Sequence, residues 1–221
     1  MPPPIRLRPL LATVLLASCG GGSGGGGGST SAALVIDTLS TTGLLNPGCG
    51  TAVAGSADAY TPGSAVQPQL AASAGTRLAT VWEQDRWNAI GARAIALSTS
   101  ADGGASWSSP SVLPFSICGG GTGPGMGYDR ASDPSVAAGQ DASGAPVLVA
   151  SALAFSAANY LAPGGLSAVL VSRSLDGGQT WQAVQAPIQD VGASGVADHF
   201  NDRDAIAADP AGPDAYPCGT G

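Results

Sequence analysis

Polar and apolar positions alternate along this chain in short runs, and no stretch holds a helical period. Arg77-Leu78-Ala79-Thr80-Val81-Trp82 alternates with a period of two, the pattern of a half-buried strand. Ala94-Ile95-Ala96-Leu97 and Ala168-Val169-Leu170-Val171 are continuous apolar runs closed by serine, the pattern of strands covered on both faces. Similar runs predict strands near 67–72, 92–98, 111–113, 133–138 and 145–153. Turn residues separate them at Ser73-Ala74-Gly75 and Asp141-Ala142-Ser143-Gly144. A polar and aromatic stretch, Glu83-Gln84-Asp85-Arg86-Trp87-Asn88, reads as a loop between two strands. Ala32-Ala33-Leu34-Val35-Ile36 is one more short strand candidate. The pattern predicts an all-β fold.

The strands recur in order. Ser100-Ala101-Asp102-Gly103-Gly104-Ala105-Ser106-Trp107 returns 74 residues later as Ser174-Leu175-Asp176-Gly177-Gly178-Gln179-Thr180-Trp181. Both read Ser-x-Asp-Gly-Gly-x-Ser/Thr-Trp, and both follow an apolar strand. The chemistry is that of a tight turn: aspartate accepts from backbone N–H groups just ahead, and the glycines adopt positive φ. The tryptophan is predicted to fold inward as an apolar plug, mostly buried. Self-similarity at a fixed spacing marks a repeat architecture. One repeat covers about 66–115, a second about 132–190, and a third begins near 202, with an insert around 159–165 in the second.

The octapeptide resembles the Asp-box, or bacterial neuraminidase repeat, of sialidase-like β-propellers. The resemblance implies four-stranded antiparallel blades, with Ser100, Asp102, Gly104, Ser106, Trp107 and their counterparts Ser174, Asp176, Gly178, Thr180, Trp181 forming the turn between third and fourth strands. In that family the turn lies away from the substrate pocket, so it speaks to fold more than to reaction. Two blades and the start of a third cannot close a ring, since propellers use about 4–8 blades. The expectation is therefore a fragment of a longer propeller, or a ring completed by another chain.

The first residues change where the chain is expected to work. Arg6 and Arg8 precede the apolar run Leu10-Leu11-Ala12-Thr13-Val14-Leu15-Leu16, too short to span a bilayer, so residues 1–18 read as a signal peptide. Leu16-Ala17-Ser18-Cys19 resembles a bacterial lipobox, which would make Cys19 the lipidated mature N-terminus; a plain secretory signal is the competing reading. The Gly/Ser tract that follows, through residue 31, is a flexible tether. The remaining 32–221 would be the partial propeller of an exported, membrane-anchored lipoprotein, periplasmic or at the cell surface.

Charge narrows the partners. All eight basic residues are arginine, against 15 acidic residues. Without the leader, six arginines remain, and so acidic a surface repels phosphate backbones. No nucleic-acid partner is expected; a carbohydrate or a surface protein is. Cys49, Cys118 and Cys218 are an odd number in an oxidising compartment, so one disulfide is expected and its pairing stays open. With one histidine and no paired Cys/His spacing, no metal and no cofactor are expected.

Candidate chemistry is sparse. Family sialidases hold the substrate carboxylate with three arginines and use a tyrosine–glutamate nucleophile and an aspartate acid/base. The first arginine belongs to a Phe/Tyr-Arg-Ile-Pro motif absent from this chain, so no catalytic residue carries over. Glu83, Asp85, Arg86 and Trp87 are the ligand-face candidates, because two carboxylates, a guanidinium and an indole suit a sugar; an Arg86 salt bridge bracing the next blade is the competing reading. Asp198-His199-Phe200-Asn201-Asp202-Arg203-Asp204 offers carboxylates for a hard cation or for interblade bracing, with bracing preferred. Cys118-Gly119-Gly120-Gly121-Thr122-Gly123-Pro124-Gly125 lacks a lysine and a helix and reads as a loop. Tyr128-Asp129-Arg130 lines the ligand face or packs.

Three functions follow as expectations: a sialidase-like propeller acting on glycans, a non-catalytic glycan- or protein-binding propeller, and another Asp-box glycoside hydrolase using paired aspartates from separate blades.

Overall fold

The computed structural model describes residues 39–50, 58–73, 76–121, 127–141, 143–157, 166–190 and 201–208. The leader, Cys19, the tether, the strand candidate at 32–36, the insert at 159–165 and Cys218 lie outside the described residues. Eight strands and no helix occur among those described. β1 (Ala65–Ala72), β2 (Leu78–Arg86), β3 (Ala92–Ser100) and β4 (Ser111–Leu113) form one antiparallel meander. β5 (Arg130–Gln140), β6 (Pro146–Phe155), β7 (Ser167–Ser174) and β8 (Gln185–Asp190) form a second. A single residue pair, Ala92 with Ala131, links β3 to β5. The architecture is all-β: two four-stranded blades of an open, partial propeller, as the repeats predict.

The core explains the composition. Ala79, Val81, Ile95 and Leu97 of the first blade pack with Val136, Ala138, Leu148, Ala150, Ala152 and Leu170 of the second. Alanine on so many facing positions lets the two sheets approach closely, and the few large side chains fill the gaps between them.

One expectation is corrected. The polar stretch read as a loop is not one as far as Arg86: β2 runs on through Glu83, Gln84 and Asp85, pairing with Ile95 and Ala94 of β3. Charged residues tolerate this burial because each meets a partner there, described below. The closing strand near 111–113 is present as β4. Residues 201–208, the start of the third repeat, lie along the second blade without strand pairing, Ile206 N–H donating to Ser135 Oγ at 3.3 Å.

The two octapeptide turns share one hydrogen-bond scheme. Asp102 Oδ1 accepts from the Ser106 N–H at 2.8 Å, and Asp176 Oδ1 from the Thr180 N–H at 2.9 Å. The Ser100 and Ser174 hydroxyls each donate to that aspartate and accept from the Gly104 or Gly178 N–H, both at 2.8 Å. Together with hydroxyl bonds from Ser106 and Thr180, these hold the Asp102 carboxyl down at about 2 and lower that of Asp176, the Ser106 hydroxyl contributing most at Asp102 and the Ser174 hydroxyl most at Asp176. Trp107 and Trp181 are each half-buried rather than mostly buried. Trp181 packs on the core, while Trp107 keeps part of its surface open to the groove between the two turns.

Gly178 carries the turn onto the neighbouring blade. Its φ is +97°, and an added Cβ would stand 3.0 Å from Thr99 Cγ2 and 3.2 Å from both Leu97 and Leu148. At Gly104 (φ +89°) the nearest atom would be Leu78 Cδ1 at 3.5 Å. Gly178→Ala is expected to lower unfolding stability by about 2–4 kcal/mol through strain plus overpacking. Gly104→Ala, which adds strain alone, should cost about 1–2 kcal/mol. Urea denaturation midpoints of the two variants check the order.

Candidate functional site

The first strand of each blade begins with the same irregularity. β1 shifts register between Val66 and Gln69, and β5 between Ser132 and Ser135. Gln67 (φ 52°) and Asp133 (φ 49°) hold left-handed backbone there, each followed by a proline. Proline lacks the N–H that a ladder needs and is at home in a bulge. The third repeat repeats the feature without a proline: Arg203, 70 residues after Asp133, has φ 68° and precedes Asp204. Non-glycine residues rarely adopt this conformation, and three in register across successive repeats single out this position as the candidate site.

These residues gather around one cavity of about 220 Å³, lined by Gln67, Gln69, Asp133, Arg203 and Asp204 with the two prolines. The blades are tied across it. The Asp133 N–H donates to Gln67 Oε1 at 3.0 Å and lies 3.3 Å from Glu83 Oε1. Ser151 of β6 and Asp204 hydrogen-bond side chain to side chain. Burial pushes the Asp204 carboxyl up, the Ser151 bond opposes this, and the Asp133 carboxylate adds to the rise. Glu83 is likewise raised by burial, against the pull of Arg86. The cavity thus combines amides, a guanidinium and two carboxyl groups, a set suited to a ligand rich in hydroxyls.

The bulges lie toward the Arg86–Ala92 end of the first blade, and the octapeptide turn closes the other end, where Leu78 pairs with Ser100. Of the residues singled out in the sequence, Glu83 and Asp85 are buried and engaged. Glu83 Oε2 lies 3.2 Å from Arg86 Nε, and Asp85 Oδ2 accepts from Arg93 Nη1 at 3.0 Å. Asp85 also accepts from the Gly63 N–H at 2.8 Å and has left-handed φ. Trp87 is buried with the Arg130 guanidinium stacked 3.8 Å over its ring, and Arg86 alone of the four keeps partial exposure. Arg86 bonds the Gly91 carbonyl at 2.5 Å within its own blade.

Tyr128-Asp129-Arg130 packs. Tyr128 Oη accepts from Gln189 at 2.9 Å, and Arg130 pairs with Asp58 at 2.8 Å and Asp129 at 3.2 Å. Of the acidic group at 198–204, Asn201 bonds Asp190 at 2.7 Å and Asp204 bonds Ser151, while Asp198, His199 and Phe200 lie outside the described residues. No group of three His, Cys, Asp or Glu stands close enough to hold a metal among the described residues. Gln67 and Asp133 were not apparent as site residues in the sequence, although the X-Pro pair at the start of the first two repeats is a visible signal of a bulge. Arg93, a buried cation bonded to Asp85, Asn46 and Cys49, left no such signal.

No protein-family model matches the chain, and no curated protein matches it. Among solved structures it is similar to the Hadza microbial sialidase Hz136, at 19% identity and a TM-score of 0.41, over 54% of this chain and 25% of that one.

Proposed function

We propose that this chain is part of an exported, lipid-anchored, sialidase-like Asp-box propeller that binds glycan at the cell surface through the cavity at the strand bulges. The observation that carries the reading is the recurrence of left-handed Gln67, Asp133 and Arg203 at one position of three successive repeats around that cavity. Backbone strain held in register by neighbouring blades preorganises polar side chains, and preorganisation is what a weakly hydrophobic ligand needs in order to bind. The lipobox-like Cys19 and the glycine-rich tether support display at a membrane surface. Binding is preferred to turnover because Glu83 is engaged by Arg86, Asp85 by Arg93, and Arg130 by Asp58 and Asp129.

Glycan-array binding followed by calorimetry on the best ligand is the test. Asp133→Ala and Arg203→Ala are expected to weaken binding about tenfold or more each, and a fluorogenic sialoside should not be turned over. Binding that survives both substitutions would overturn the cavity as the site. One observation favours a second reading, an Asp-box glycoside hydrolase: Asp204, its carboxyl raised by burial, and Asp133 line the same cavity, two carboxylates such as paired acid/base chemistry uses. Glycoside hydrolysis abolished in Asp204→Asn would establish it.

A further inference from the structure

At the opposite end of the blades, the two octapeptide turns flank a groove of about 390 Å³. Its size falls within the range of small-molecule sites, roughly 300–1,000 Å³. Trp107 lies along it, half-buried, with Leu78, Leu148 and Pro146 adding apolar surface. The rim carries one cation and one anion, Arg77 and Asp176.

Each rim group is set for a ligand in a different way. The Asp176 carboxylate is pinned by Ser174, Thr180 and two backbone N–H groups of its own turn, so holding it costs a ligand nothing in ordering. Its lowered pKa keeps it an acceptor across the neutral range. Arg77 is exposed and makes no side-chain hydrogen bond or ion pair with a described residue, which leaves its donor fork open. The second blade does not repeat the residues that line the groove. In register with Arg77, the second blade has Val147, and in register with Thr99 it has Arg173.

We propose that this groove is a second binding site, for the neutral pyranose unit of a glycan. One face of such a ring is C–H and stacks on an indole, and its edge is hydroxyl, able to accept from Arg77 and donate to Asp176. A rim of balanced charge on an acidic chain disfavours an anionic sugar. The site is independent of the bulge cavity, at the other end of the sheets, and stands whether or not that cavity binds.

The test is nitrogen-15 NMR of the whole chain, whose four tryptophans give separable indole N–H signals; Trp107→Phe assigns the one that matters. Titration with methyl β-galactopyranoside and methyl β-glucopyranoside is expected to shift the Trp107 signal saturably, with a Kd of about 1–10 mM for at least one of them. Arg77→Ala, an exposed substitution, should weaken that Kd roughly fivefold or more, while Asp133→Ala leaves it unchanged. Sialyllactose should bind no better than the neutral glycosides. No saturable shift at Trp107 with either glycoside would overturn the proposal, as would a shift equally present in Arg77→Ala. Loss in Asp133→Ala alone would assign the binding to the bulge cavity instead.

Discussion

Replacing Arg93 by methionine is expected to cost about 3–5 kcal/mol of unfolding stability, because it strands a buried charge and empties a hub of acceptors. Arg93 is almost wholly buried. Its Nη1 donates to Asp85 at 3.0 Å, and its Nε and Nη2 reach the Cys49 carbonyl at 3.1 and 2.7 Å. Nη2 also bonds the Asn46 carbonyl, and the guanidinium lies 4.2 Å over the Tyr60 ring. Methionine keeps most of the apolar stem but leaves the Asp85 carboxylate and two carbonyls short of a donor. Asp85→Asn should cost less, since asparagine tolerates the left-handed backbone at that position and still accepts a hydrogen bond. If Arg93→Met proves as mild as a surface substitution, the segment at 46–50 is not held by this cation. Urea unfolding followed by tryptophan fluorescence reads both variants.

Legibility in the sequence followed the range of the interactions. The octapeptide turns were plain because the bonds of their serines and aspartates lie within eight consecutive residues, Ser100 to Trp107 and Ser174 to Trp181, so side-chain types alone state that geometry. The blade order was plain for the same reason, since hairpins join neighbours. The end of β2 from Glu83 to Arg86 read as a loop because a polar run breaks the alternation there, and part of what makes its burial tolerable comes from elsewhere: Arg93 of β3 pairs with Asp85, and Arg130 of the second blade covers the adjoining Trp87. The bulge cavity was half legible. Pro68 and Pro134 announce an interrupted ladder. That Gln67, Asp133 and Arg203 converge depends on how blades stack, and no single strand records that. The two half-buried tryptophans differ in their surroundings for a like reason: the groove beside Trp107 is formed between adjacent turns.

The disulfide adds what the sequence left open among three cysteines. Cys49 pairs with Cys118, closing a loop across 69 residues that takes in all four strands of the first blade. A cross-link of that span restrains the unfolded chain by about 4 kcal/mol on a loop-entropy estimate. The double variant Cys49→Ala/Cys118→Ala is expected to lose about that much, and reduction of the native chain should reproduce the loss, while Cys218→Ala should not. The loss should not add to that of Arg93→Met. The carbonyl that receives two Arg93 bonds belongs to Cys49 itself, so bridge and guanidinium restrain the same few residues. Residues sharing a partner couple, and releasing the segment once leaves less to release again. A triple variant falling short of the sum by about 1 kcal/mol or more would show that the two act as one clamp. Strict additivity would mean that the bridge acts only on the unfolded chain and that Arg93 holds the segment unaided.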